Sequence, residues 1–98
     1  MFVRIVKMSF DPLKVEEFLH SFHEIKSKIR NFEGCTFLEL YKDKKHNNIF
    51  FTYSYWNSEE DLERYRNSDL FIEVWGRTKL MFNEIPQAWS VDKLVSLE

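Results

Sequence analysis

Cysteine, glycine and proline are all scarce in this chain, and each scarcity removes a class of protein. A single cysteine, Cys35, supports neither an internal disulfide nor a multi-thiolate metal site. Two glycines and two prolines in 98 residues are too few for a collagen-like repeat, a flexible linker or a disordered segment. No apolar run reaches the roughly 18–20 residues that a membrane-spanning helix needs. An excess of one charge is missing as well: 14 Lys and Arg stand against 16 Asp and Glu, a formal net charge of −2. A nucleic-acid binder or a polybasic membrane binder needs a cationic surface that this balance does not give. The stretch from Met1 to Met8 alternates charge with apolarity, unlike a signal peptide. The expectation is one cytoplasmic domain over residues 1–98, with neither nucleic acid nor membrane as partner.

What the chain has instead is aromatics: ten Phe, four Tyr and three Trp, 17% of all residues. Their spacing, with that of the aliphatic residues, marks the elements. Residues 2–10 interleave β-branched and aromatic side chains with polar ones and predict a strand. Asp11 and Pro12 end it and open a helix, Asp11 as N-cap and Pro12 at the first helical position. From Pro12 to about Asn31, the residues Val15, Phe18, Leu19, Phe22, Ile25 and Ile29 recur at three- and four-residue steps. Gly34 supplies the turn into a second strand, residues 35–42. An all-polar loop over residues 43–48 then leads to a third strand, residues 49–56. Ser58, with Asp61 three residues on, caps a short helix to about Arg66. A second cap at Asn67-Ser68-Asp69 begins a longer helix to about Phe82, and residues 88–97 alternate as a fourth strand. The order is βαββαβ with its second helix broken. That is an α+β, ferredoxin-like arrangement: a four-stranded antiparallel sheet with its helices on one face.

Alternation on the third strand places Ile49, Phe51, Tyr53 and Tyr55 on one face and Phe50, Thr52, Ser54 and Trp56 on the other. The second strand divides Cys35, Phe37 and Tyr41 from Leu38 and Leu40 in the same way. Two helices cover only one face of such a sheet, so large aromatics remain on the other whichever face is covered. At about 25 cal/mol per Å2 and about 150–250 Å2 per aromatic, leaving them wet forgoes many kcal/mol. A small domain can hardly spare that. A second copy packing sheet to sheet resolves the problem, and a homodimer is expected. An RNA-recognition motif shares the topology and also exposes strand aromatics, but its Lys/Arg-Gly-aromatic signature is absent. Metal carriers of this topology use a Cys-x-x-Cys pair, which a lone Cys35 does not supply.

Four segments carry a family likeness: Phe32-Glu33-Gly34-Cys35, the run from Phe51 to Leu62, Ser68-Asp69-Leu70-Phe71, and the run from Pro86 to Val91. Together they resemble the antibiotic-biosynthesis-monooxygenase family of dimeric α+β barrels, over about residues 2–95. The resemblance implies paired protomers whose sheets form a shared barrel, with a pocket in each protomer between sheet and helices. It also implies a choice among cofactor-independent oxygenation of aromatic polyketides, oxidative haem breakdown and isomerisation of small signalling molecules. The haem-degrading branch has an Asn on strand one, and a Trp and a His on the two halves of helix two. Here strand one has no Asn, and Tyr65 and Trp75 occupy the other two places. The axial ligand is therefore missing and no haem turnover is expected. The polyketide-oxidising branch has a Trp where Trp56 stands, while Thr52 and Leu62 replace its Asn and Tyr.

The site residues follow from these two readings. Trp56 closes strand three on the helix side, either as a pocket wall stacking on a planar substrate or as a cap on the core. Trp75, at the edge of its helical stripe, has the same two roles open to it, and Thr52 stands at the matching pocket position. Tyr53 and Tyr55 share the face opposite Trp56 and are expected to fill the barrel between protomers. His23, on the flank of the first helix's stripe, is the one histidine placed to reach a pocket mouth as a general base; His20 and His46 are expected in solvent. Tyr65 and Arg4 are the other candidates for assisting deprotonation or stabilising charge. Should Arg4 face the helices, it is a cation beside the pocket able to hold an anionic substrate. Cys35 is expected to be a buried, inert thiol. No Gly-rich phosphate loop, flavin or nicotinamide fingerprint and no metal-ligand spacing is present, so neither cofactor nor metal is expected. The resemblance then implies a cofactor-independent monooxygenase acting on a small aromatic or quinol-like metabolite. The alternative is a non-catalytic ligand-binding or structural homodimer of the same fold.

Overall fold

The computed structural model describes every residue from Met1 to Glu98. Strand β1 (Phe2–Ser9) passes through a 3-10 turn (Pro12–Lys14) into helix α1 (Val15–Arg30). Strands β2 (Cys35–Lys42) and β3 (Ile49–Trp56) follow, then helices α2 (Glu59–Arg66) and α3 (Asp69–Thr78), and finally β4 (Gln87–Val91). The helical stretches that open at Pro12, Glu59 and Asp69 each start where a short polar side chain satisfies a free amide. The Asp11 carboxylate accepts from the Leu13 amide at 2.9 Å, the Ser58 hydroxyl from the Asp61 amide at 3.2 Å, and the Ser68 hydroxyl from the Phe71 amide at 3.1 Å.

The four strands form one antiparallel sheet in the order β2-β3-β1-β4. The register sets Phe2 opposite Trp56, Arg4 opposite Ser54, Val6 opposite Thr52 and Met8 opposite Phe50. This is the face that the helices cover, and the core lies between. At one end Phe10, wholly buried, stacks on Phe18 at 4.1 Å among Met8, Phe50 and Met81. At the other, Phe2, Cys35, Trp56 and Leu62 pack together. The uncovered face carries the aromatics that pattern alone left unassigned: Phe37 stacks on Tyr55 at 4.4 Å, and Tyr41 meets Tyr53 edge-on at 5.3 Å. Trp89 extends this face onto β4 and remains 43% exposed.

The fold departs from the sequence reading in three places. The long helix ends at Thr78 rather than near Phe82. Its last turn tightens to 3-10 over Lys79–Met81, and Phe82 leaves the helix to bridge Phe10, with ring centroids 5.2 Å apart. The fourth strand stops at Val91, not residue 97, because β1 begins at Phe2 and the alternating residues beyond Val91 have no strand to pair with. Lastly, Cys35 does not share a face with Phe37 and Tyr41. The pairing steps from Cys35–Trp56 to Phe37–Tyr55, so Thr36 is an extra residue on β2. This bulge turns Cys35 inward to Trp56 while Phe37 faces out.

Just before the bulge, Gly34 adopts φ +90, a conformation that side chains disfavour. A Cβ built there would lie 2.3 Å from the Cβ of Asp61. The first turn of α2 therefore rests directly on the backbone entering β2. The Asn57 amide, donating to the Gly34 carbonyl at 2.9 Å, ties the same two segments.

Candidate functional site

Between the covered face of the sheet and the helices lies a cavity of about 500 Å3. Its floor is the helix-facing row of β1 and β3, including Arg4, Thr52 and Trp56. Apolar residues of α1 line one side, and Tyr65, Arg66, Phe71 and Trp75 bring α2 and α3 over the top. The helical period accounts for the upper wall. Leu62, buried in the core, lies four residues before Arg66, and Phe71 lies four before Trp75, so each pair shares a helix face.

The aromatic wall is continuous. Trp56 stacks on Tyr65 at 5.1 Å, Tyr65 meets Phe71 edge-on at 5.2 Å, and Phe71 lies parallel to Trp75 at 5.7 Å and 11°. Trp56 belongs to the core and to the cavity wall at once. It is 1% exposed and locked by its indole N–H donating to the Ser54 hydroxyl at 2.9 Å, yet it contributes to the cavity lining. An apolar, aromatic-lined space with few polar groups suits a planar organic molecule.

The charged groups of the lining are two arginines, Arg4 and Arg66, among neutral Thr52, Ser54, Thr78 and Gln87. The Arg4 guanidinium donates to the Ser90 hydroxyl at 3.0 Å. None of the four ion pairs in the protein includes Arg4. Arg66 sits at the rim, its side chain 48% exposed and 3.5 Å from Glu63. Burial lowers the Arg4 pKa, and the neighbouring Arg66 charge lowers it further against the opposing effect of Glu63. Arg4 nevertheless stays charged, as arginine does throughout the working pH range. No histidine or carboxylate contributes to the lining.

Of the residues that the sequence singled out, Arg4, Thr52, Trp56, Tyr65 and Trp75 converge on this cavity. His23 does not. It lines a separate, more open groove of about 650 Å3 between α1 and the edge strand β2, with Phe22 and Leu38 contributing to both spaces. His20 pairs with Glu24 at 2.9 Å in solvent. Sequence reasoning missed Arg66, which appears there only as one more charge at a helix end. The signal available was its four-residue offset from Leu62.

Burial raises the Tyr65 phenol above its ordinary 10.0. It also raises the Cys35 thiol above 9.0, against the lowering effects of its hydrogen bond to Phe37 and the Arg30 charge. Both groups are neutral acids in the fold. Above those ordinary values the unfolded chain has released protons that the native state still holds, so stability falls as pH rises. Urea midpoints are expected to decline from near pH 9 and more steeply above pH 10, and Tyr65→Phe is expected to remove the steeper part. A flat profile in the unaltered protein would contradict the burial of both groups.

Comparison with known proteins follows the same lines. The sequence model of a family described as antibiotic biosynthesis monooxygenase matches residues 1–75. Among solved structures, one described as an antibiotic biosynthesis monooxygenase is similar at 17% identity and TM-score 0.90, covering 97% of this chain and all of that one (100%). A conserved protein from Methanosarcina mazei Go1 is 22% identical with TM-score 0.87, covering 95% of this chain and 93% of its own. Rv0793 from Mycobacterium tuberculosis is 12% identical with TM-score 0.88, covering 99% and 98%. At such identities the likeness is one of fold. No curated protein matches the sequence.

Proposed function

Because the chain belongs to the antibiotic biosynthesis monooxygenase family, we propose that its cavity binds a small aromatic or quinol-like metabolite and promotes cofactor-independent oxygenation. The observation that carries this reading is the composition of the cavity: a continuous aromatic wall from Trp56 to Trp75, two arginines, and no histidine or carboxylate. Trp56 and Trp75 position the planar substrate, with Thr52 on the floor. A substrate with an acidic C–H loses its proton to solvent as it binds, and Arg4 stabilises the resulting anion. The Tyr65 phenol, held protonated by burial, is a donor rather than a base. His23 lies behind Phe22 and Leu38 and takes no direct part. Exclusion of water then lets the anion react with oxygen. The carbanion carbon bonds to O2, the peroxide takes up a proton, and loss of water leaves a carbonyl.

Oxygen-electrode assays with anthrones, quinols and catechols test this. Consumption is expected to exceed the uncatalysed rate by at least tenfold for some member of the panel. Trp75→Ala is expected to lose most of that excess. Equal consumption with and without protein across the panel would favour a non-catalytic binding homodimer, a reading that Thr52 and Leu62 support by standing where the oxygenase branch has Asn and Tyr.

The homodimer is part of the same proposal. The uncovered face gathers Phe37, Tyr41, Phe51, Tyr53, Tyr55 and Trp89 into one aromatic surface with no helix over it, the kind of patch that marks an interface. A second copy covers it sheet to sheet. Sedimentation at micromolar concentration is expected to give twice the chain mass. Phe51→Asp, which buries an unpaired carboxylate in that interface, is expected to give single chains or unfolded protein. Sedimentation of the unaltered protein at the single-chain mass would end this part of the reading.

A further inference from the structure

Arg4 has no carboxylate partner in the cavity, and Arg66, itself paired only with Glu63, brings a second positive charge to the same space. Arg4 faces the helices in the middle of the sheet, and its one side-chain hydrogen bond goes to the neutral Ser90 hydroxyl. No carboxylate lies within ion-pair distance of it, and none lines the cavity. Arg66 reaches the same cavity from the end of α2, and its pairing with Glu63 is a long, exposed one at 3.5 Å. Two guanidinium groups on one small cavity repel each other, and partial burial of Arg4 worsens the balance by removing water. An anion placed between them relieves both costs, and the planar guanidinium fork suits a two-oxygen group or a delocalised oxyanion. The electrostatic depression of Arg4 by Arg66 agrees with this proximity.

We propose that the occupant of this cavity is an aromatic oxyanion, its flat body against the wall from Trp56 to Trp75 and its negative oxygen held by Arg4 and Arg66. The proposal rests on the reading of the cavity as the substrate site and adds to it that the bound charge sits on oxygen and is shared by Arg4 and Arg66. The oxyanion has two chemical sources: a carboxylate carried by the ligand, or a phenol or enol that ionises on binding. In the second case the arginines do the work of a base by making the bound group more acidic, which suits a cavity with no histidine or carboxylate in its wall.

Calorimetric titration of the full chain with 2-naphthoate, 2-naphthamide and 2-naphthol at neutral pH tests this, since the three share one flat body. Naphthoate is expected to bind at least tenfold more tightly than the amide. Arg4→Gln and Arg66→Gln are each expected to weaken naphthoate at least tenfold and change the amide less than twofold. Arg77→Gln, which removes a cation from α3 outside the cavity, should change neither. The absorption spectrum of bound naphthol separates the sources. Appearance of the naphtholate band in the unaltered protein, lost in the arginine variants, assigns the oxyanion to an ionising hydroxyl. A preference confined to naphthoate assigns it to a carboxylate. Equal affinity for naphthoate and the amide with no naphtholate band would overturn the proposal and leave the aromatic cavity standing. Absence of saturable binding by all three would overturn both.

Discussion

Replacing Gly34 with alanine is expected to destabilise the protein by about 2–5 kcal/mol, a large share of the roughly 5–15 kcal/mol available to a domain. Two costs add. A side chain at φ +90 carries about 1–2 kcal/mol of backbone strain. The new methyl would also lie 2.3 Å from the Asp61 Cβ, and forcing the first turn of α2 away adds about 1–3 kcal/mol of overpacking. The two are separable. Asp61→Gly removes the obstructing carbon at its own cost of about 0.3 kcal/mol in helix propensity and the loss of the 2.7 Å ion pair with Arg64. In the double variant the steric part should disappear, so a double-mutant cycle by urea denaturation is expected to show about 1–3 kcal/mol of favourable coupling. Additive effects would mean that the close approach of α2 to Gly34 is not what the glycine permits.

Truncation of Trp56 to alanine is the other large effect. The ring is 1% exposed, stacked on Tyr65 and bonded to Ser54. Removing it is expected to cost about 3–5 kcal/mol, which for a chain of this size lowers the melting temperature by on the order of 15–30 °C. Trp56→Phe keeps most of the packing and gives up the indole hydrogen bond, an expected loss nearer 1 kcal/mol. Thermal melts of the two variants decide the matter. Similar, small losses from both would place Trp56 at the surface of the cavity rather than in the core.

The strands and caps were legible because their signals are local. The third strand is a run of β-branched and aromatic residues, and Asp11, Ser58 and Ser68 each satisfy an amide two or three residues away. The inward face of β3 was not decided by alternation, since both faces carry aromatics; the side on which the helices lie decided it. Alternation failed outright at Cys35, where one extra residue, Thr36, reverses the parity of β2. The sequence bears no mark of that extra residue. The helix end at Thr78 is likewise non-local: Phe82 leaves the helical path to reach Phe10, which is 72 residues earlier in the chain. The candidate site divides in the same way. Trp56, Tyr65 and Trp75 stand out by residue type, whereas Arg66, marked in the sequence by no more than its offset from Leu62, gains weight from its nearness to Arg4, and His23 loses its place because α1 presents that flank to another groove.

The bulge at Thr36 has a practical consequence for watching the protein move. It carries the only thiol in the chain under α2, against Trp56 and Leu62, where Cys35 is 6% exposed. Burial also keeps that thiol protonated, so a soft electrophile finds no nucleophile while the fold is closed. Alkylation must wait for α2 to lift from the sheet. Where reclosing is faster than alkylation, the labelling rate is proportional to the population of the open form, and the mass of the protein reports the free energy of lifting one helix, with no probe added.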